Sequence, residues 1–350
     1  MKNQINSVGF GLAGATLAWQ LHFRNKPFRV YDSRSNHCTR TAAGLVNPIV
    51  FKRLTKSWNV DLLLPEAFDF YTRIENILQT KLISGKKILF PFSTKEDENN
   101  WSVKMGDDRF KNYLSHINSD ELKNIHAPNG VGLVNTFGNI DTNSFLDLSK
   151  KYFAANGIEF FTEEITHTDA AQNTEQQFVF CEGVAVTENP FFNYLPMKPA
   201  HGETLVIETE GLELKNILSK NLFLLPLGNK QYKVGATYNW ELKEPILTEA
   251  GKNDLIERLS HVLQCSFKII SHQAGIRPAV ADRRPLLGVH PEKKNLFIFN
   301  GLGTKGVLLA PFYANHFADF LTEDKALDDE VNISRFAKRY RKSLLDKKAL

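Results

Sequence analysis

The chain has 350 residues, 42% of them hydrophobic and 23% charged, which suits two globular domains or one large domain carrying an insertion. Its 43 Lys and Arg against 39 Asp and Glu leave a net charge of only +4, which gives no case for a nucleic-acid-binding protein. Three scattered cysteines (Cys38, Cys181, Cys265) show neither a disulfide framework nor metal-ligand spacing. The polar start from Met1 to Ser7 and the lack of any 18-residue apolar run predict a cytoplasmic protein with no leader and no membrane span.

Residues 5–32 read as strand, tight turn, helix and strand. The turn is Gly9 to Gly14, Leu17 and Leu21 share one face of the helix, and Lys26-Pro27 ends it. The second strand, from Phe28, stops at Asp32. Residues 56–85 read as helical, anchored by Leu62, Phe68, Tyr71, Ile74 and Leu78. Residues 107–126 read as loop with a short helix, and 131–137 as strand. A helix follows over 142–156, capped by Thr142 or Asn143. Phe178 to Cys181 is a compact apolar run of the kind that forms a buried central strand. Residues 203–208, 222–227 and 231–238 read as strands, the last two joined through Gly228-Asn229-Lys230. A helix then carries Leu255, Leu259, Val262 and Leu263, and a strand over 296–299 runs into Gly301 to Gly306 and a closing helix through Pro311 to Leu321.

The spacing Gly9-x-Gly11-x-x-Gly14 between a strand and a helix has a physical reason. Gly9 permits the tight turn, Gly11 lets a pyrophosphate approach the backbone, and Gly14 lets the helix lie close to the strand. The N–H groups that open the helix, at Leu12 and Ala13, then face the phosphates. Asp32, 18 residues beyond Gly14, is placed to accept hydrogen bonds from an adenosine ribose and opposes a 2′-phosphate. The alternative is a glycine-rich turn in some other α/β protein, and the polar first strand Gln4-Ile5-Asn6-Ser7-Val8 is the feature that favours it. The second strand–glycine–helix unit, at 296–321, points to FAD over NAD. A helix start there can place N–H groups against the pyrimidine edge of a flavin and stabilise the charge that develops on reduction.

Further stretches carry a family likeness: Thr41-Ala42-Ala43-Gly44 with Asn47-Pro48, and Phe180-Cys181-Glu182-Gly183. Gly275-Ile276-Arg277-Pro278 with Asp282 and Pro285-Leu286-Leu287-Gly288 is another, and Gly301 to Gly306 with Ala310-Pro311 closes the set. With the first turn, they make the chain resemble the D-amino-acid-oxidase-like FAD-dependent oxidoreductases, which include glycine and sarcosine oxidases. The likeness spreads over nearly the whole chain. It implies an α/β fold: a Rossmann-like FAD-binding domain built from discontinuous segments (1–55, 130–185 and 271–350), and an α+β substrate domain with a mixed sheet (56–129 and 186–270). It implies FAD as cofactor, a small-molecule amine or amino-acid substrate, and hydride transfer from a C–H beside the amine to flavin N5. It also implies cofactor contacts from Gly9, Gly11, Leu12, Ala13, Gly14, Asp32 and Ser33, from Thr41, Ala42, Ala43 and Gly44, and from Ile165, Cys181 and Gly183. Arg277 and the closing turn (Gly301, Leu302, Gly303, Thr304, Lys305, Gly306) complete them.

For catalysis the likeness points to Arg277 as the holder of a substrate carboxylate, a role its bidentate fork suits. The alternative is an arginine that caps a strand or pairs with Asp282. Tyr238 is a second candidate, lining the substrate pocket or belonging to the core. His201 and Glu203 read as residues of a solvated strand edge. Lys305 faces flavin, phosphate or solvent, and Cys181 reads as a small buried residue with no base beside it. No metal ligand set is expected. The basic residues from Arg335 to Lys348 read as a solvated helix face or a partner-binding or RNA-binding tail. Two other functions remain open: an oxidase-like domain acting on a carboxymethylamine of modified tRNA, and a flavin-fold protein without catalysis.

Overall fold

A computed structural model describes residues 4–33, 38–117 and 122–348. In chain order, β1 (Ile5–Val8), α1 (Leu12–Phe23) and β2 (Phe28–Tyr31) open the fold, followed by the short α2 (Cys38–Thr41), β3 (Ile49–Val50) and β4 (Thr55–Lys56). Next come α3 (Val60–Leu78), β5 (Ile88–Pro91), α4 (Lys95–Met105), β6 (Leu114–Ile117) and β7 (Val131–Val134). Then follow α5 (Thr142–Ala155), β8 (Phe160–Phe161), α6 (His167–Gln172) and β9 (Gln177–Phe180). Strands β10 (Ala200–Glu208), β11 (Ile217–Lys220), β12 (Leu222–Gly228) and β13 (Gln231–Gly235) precede α7 (Glu249–Ser260). The chain ends with β14 (Lys268–Arg277), β15 (Leu286–Val289), β16 (Leu296–Asn300), α8 (Gly306–Glu323) and α9 (Ala337–Lys348).

These elements form two compact units. The first comprises 1–40, 142–200 and 276–350, and the second 41–141 and 201–275. The first holds a six-stranded sheet in the order β15-β16-β9-β1-β2-β8, parallel except for β15. The second holds an eight-stranded mixed sheet, β14-β10-β13-β12-β11-β5-β7-β6, in which β5 and β11 run parallel and the other assigned pairs antiparallel. The expected fold class is therefore observed. The boundaries between segments differ from those drawn on the sequence. Residues 41–55 and 130–141 lie in the second unit, where Leu45 bridges Asn139 and Ile83 bridges Ile140. Residues 186–200 lie in the first, because Val186, Phe192, Tyr194 and Leu195 pack with Phe178, Phe180 and Ile298.

Strand β1 is central despite its polar residues. Asn6 is fully buried, but its amide donates to the Gln177 carbonyl at 3.1 Å and to Gln176 Oε1 at 3.0 Å. Hydrogen-bonded in this way, a polar side chain is tolerated in a parallel sheet. Helix α1 is buried on all sides from Ala13 to Leu21, and the Trp19 indole N–H donates to Ser149 Oγ at 2.7 Å. Three sequence expectations need correction. Helix α3 stops at Leu78 rather than 85, and it turns Leu62 and Phe68 outward; Leu63, Ala67, Phe70, Tyr71 and Ile74 form its buried stripe. Part of 107–126 is strand β6, and β11 and β14 were not anticipated. Thr142 does not cap α5 with its hydroxyl, which donates to the Thr39 carbonyl at 2.8 Å. Helix α8 runs from Gly306 through Pro311 to Glu323, as the sequence led one to expect.

Candidate active site

In the first unit the two glycine turns stand side by side. Gly9 adopts φ +97°, and a Cβ there would come 2.6 Å from the Cys181 carbonyl oxygen. A Cβ on Gly14 would sit 2.0 Å from the Gly9 carbonyl oxygen. Gly11 is the N-cap of α1 and brings no side chain to its N–H groups. Gly306 opens α8, and a Cβ on it would meet Leu12 Cδ2 at 2.8 Å. The starts of α1 and α8 are thus held together by residues too small to separate them. A cradle that side chains would fill, beside an open helix start, fits a dinucleotide.

Asp32 directly follows β2. Its Oδ1 accepts the Phe10 N–H at 3.3 Å, and its Oδ2 lies 3.7 Å from Lys150 Nζ. Lys150 comes from α5 and rests over the Phe160 ring, and nothing in the sequence ties it to Asp32. Thr39 was missed as well: its hydroxyl oxygen accepts the Leu12 N–H at 3.2 Å and so occupies one donor of the helix start. Cys181 is a buried residue whose thiol burial pushes up to about 12, which removes it as a nucleophile. Gly183 adopts φ +60°, and its carbonyl accepts from the Asn300 amide at 2.9 Å. Asn300 Oδ1 in turn accepts the Gly301 N–H at 2.8 Å, so one unforeseen asparagine ties the ends of β9 and β16. Gly301 and Gly303 both lie at positive φ. Ile165 packs against the apolar cluster around Phe180, Ser33 and Thr304 are exposed, and Leu302 is buried.

Glu182 lies between Cys181 and Gly183. His167 Nε2 is 2.7 Å from its Oε1, and the Asn189 amide donates to its Oε2 at 3.0 Å. The bond to Glu182 holds the His167 imidazole above its ordinary pKa, with Glu164 adding to the effect. A raised folded pKa gives stability that is complete below the unfolded value and disappears as pH rises through the folded one. Wild-type protein should therefore lose stability in that window on titration toward alkali, and His167→Gln should flatten that part of the profile in denaturant melts. A curve unchanged by the substitution rules the pair out as its source.

Arg277 ends β14. Its carbonyl accepts the Ala279 N–H at 2.8 Å, and the next carbonyl, of Pro278, accepts the Gly303 N–H at 3.2 Å. The arginine segment is thus pinned to the closing turn. Asp282 is engaged elsewhere: its Oδ2 accepts from Arg335 Nε at 3.0 Å, and its Oδ1 accepts the Arg284 N–H. Lys305 is the N-cap residue of α8, and burial pushes its amine down to about 8. It is half-buried, not fully in solvent.

In the second unit, Thr41 donates to the Ala274 carbonyl at 3.2 Å. Ala42 is exposed and Ala43 half-buried. Gly44, at φ +64°, lies so close to Ile140 that a Cβ would reach its carbonyl oxygen at 2.0 Å. Tyr238 is 57% exposed, so it is not core. His201 and Glu203 correct the sequence reading: both are buried, not at a solvated edge. Glu203 accepts the Thr248 N–H at 3.0 Å and the Thr248 hydroxyl at 2.7 Å, and His272 Nε2 lies 2.6 Å from it. Thr248 is the N-cap of α7, so the carboxylate sits at the positive end of that helix. Glu203→Gln should lower the unfolding free energy by about 2 kcal/mol, the worth of a charge-assisted hydrogen bond. An unchanged urea midpoint contradicts that role.

Over residues 8–320 the chain matches the DAO family, described as FAD dependent oxidoreductase. The chain belongs to this family. It is an FAD-dependent oxidoreductase, and the paired turns are where its own residues fit that cofactor. Among relatives, it is 30% identical over 129 residues to a glycine oxidase from Bacillus licheniformis, covering 35% of this chain and 34% of that protein. It is 32% identical over 104 residues to the tRNA 5-methylaminomethyl-2-thiouridine biosynthesis bifunctional protein MnmC of Legionella pneumophila, covering 28% of this chain and 16% of that one. The chain thus spans about a third or less of the curated relatives it matches here. The fold is that of the glycine oxidase from Geobacillus kaustophilus, with a TM-score of 0.78 at 17% identity over 95% of this chain and 98% of the other. Among the described residues no helix is long and apolar enough to cross a membrane.

Proposed function

We propose that this family member oxidises a small amine or amino-acid-like substrate at the C–H bond beside nitrogen. Bound FAD supplies the hydride acceptor, its N5. The observation that supports the reading is the main-chain anchoring of the Arg277 segment to the closing turn through Pro278 and Gly303, and to the Arg277 guanidinium we assign the holding of a substrate carboxylate. The names of the glycine oxidases similar to this chain support the same substrate class. Lys305 and the start of α8 stabilise negative charge at the flavin's pyrimidine edge, while Gly9, Gly14 and Asp32 seat the adenosine diphosphate end. No strong base is needed, because substrate alignment carries the transfer.

The test is a panel of glycine, sarcosine and D-amino acids added anaerobically to the purified yellow protein. Bleaching of the flavin by one of them, followed by peroxide release in air, is the expected result. A flavin that no amine reduces rejects the reading.

A second reading, action on a carboxymethylamine of modified tRNA, has one specific support. Helix α9 carries Lys338, Arg339, Arg341, Lys342, Lys347 and Lys348 on a chain of net charge +4. Retention on tRNA that falls steeply with salt would favour it.

A further inference from the structure

The eight-stranded sheet has two unlike faces. Side chains alternate along β13. Tyr232 and Val234 join the apolar cluster formed with Leu255 and Leu259 of α7, so Lys233 and Gly235 point to the opposite face. Antiparallel pairing sets Val206 and Leu225 directly across from Lys233, and Thr204 and Phe223 across from Gly235. A Cβ on Gly235 would come 2.8 Å from both Thr204 Cγ2 and Phe223 Cζ, which places all these side chains on one face.

Lys233 is only 8% exposed, yet among the described residues no carboxylate, carbonyl or aromatic ring meets its ammonium group. Thr204 is 5% exposed, and its hydroxyl oxygen is buried without a hydrogen-bond partner. The two positions are diagonal neighbours across β10 and β13, within reach of a long side chain. A lysine 8% exposed with only Val206 and Leu225 opposite it is costly to charge, and so is an unmet hydroxyl. Burial alone drives the Lys233 amine down to about 8, with no nearby charge contributing. One small anion relieves both defects: it gives the ammonium a counter-charge and the hydroxyl an acceptor.

We propose that Lys233 and Thr204 form a binding point for a small carboxylate. The site lies within the second unit and does not depend on the amine-oxidation reading. It is independent of Arg277, which belongs to the other unit.

The test uses FAD-loaded protein labelled with [ε-13C]lysine, with Lys233→Met to assign the resonance. The probes are acetate, the neutral analogue acetamide, and inorganic phosphate. Without ligand the Lys233 signal should titrate near pH 8. Saturating acetate should raise that midpoint by about one pH unit, a tenfold preference for the charged form, and acetamide should leave it in place. Lys233→Met should weaken acetate binding at least about tenfold, and Thr204→Val by a smaller factor. A midpoint indifferent to acetate, or acetate affinity unchanged in Lys233→Met, overturns the proposal. An equal response to phosphate overturns the assignment to a carboxylate. Failure of the amine-oxidation reading looks different: no amine bleaches the flavin, while the Lys233 titration still answers to acetate.

Discussion

Gly14→Val is expected to give a colourless protein with no measurable FAD, even at saturating cofactor. The Cβ would lie 2.0 Å from the Gly9 carbonyl oxygen and 3.3 Å from Ser7 Oγ. The first neighbour is backbone, so no rotamer change relieves the clash. Either α1 moves away from β1 or the Gly9 turn opens, and both displace the N–H groups that receive the pyrophosphate. Helix α1 is also buried on all sides, so a shift disturbs contacts with β1 and α8 together. Overpacking of this kind costs about 1–3 kcal/mol of stability, less than the loss in cofactor affinity. The measurement is the flavin absorbance at 450 nm against protein after gel filtration, with circular dichroism to show that the chain remains folded. A folded Gly14→Val protein that stays yellow contradicts the placement of the pyrophosphate at this turn.

Arg277→Met is expected to lower kcat/KM for carboxylate-bearing amines on the order of 10²–10³-fold. Truncating one partner of a desolvated, hydrogen-bonded charge pair costs about 2–5 kcal/mol, and each 1.4 kcal/mol is tenfold. Arg277→Lys should recover part of the loss, since it restores the charge but not the bidentate fork. The thermal midpoint and FAD content should stay near wild type, because the backbone anchors of this segment are main-chain bonds from Ala279 to Arg277 and from Gly303 to Pro278. Amines without a carboxylate should be oxidised at an unchanged rate. Equal losses for amines with and without a carboxylate, or a variant that has lost its flavin, remove Arg277 from the substrate site and return it to a structural role.

The features legible from the sequence share one property: each is set within a few residues. Gly9, Gly14, Gly301 and Gly303 occupy backbone geometries or close approaches that other residues resist, so they stand out by spacing. The apolar run from Phe178 to Cys181 suits an inner strand, and residues up to Phe180 form one. Polar residues were harder to read. Asn6 looked foreign to a central strand until Gln176 and Gln177, some 170 residues away, supplied its partners. Glu203 and His201 looked solvated because polar residues usually are, but Thr248 and His272 close over the carboxylate. Asn300, Thr39 and Lys150 act through Gly183, Leu12 and Asp32, each far off in the chain. Helix α3 misled differently. Its apolar residues exceed one stripe, and packing chose Leu63 and Phe70 over Leu62 and Phe68.

By itself the sequence determined the family, the fold class, the glycine turn and helix start at Gly9 to Gly14 and the second one at Gly301 to Gly306, because turn geometry and hydrophobic period are local constraints. Only the tertiary structure decided that Leu12 rests on Gly306 and that Pro278 is tied to Gly303. It alone showed Glu203 buried at the head of α7 and Lys233 without a counter-charge among the described residues. Those outcomes depend on which distant groups share a buried volume, where each charge and hydrogen bond must be met, and no stretch of sequence read alone contains its partners.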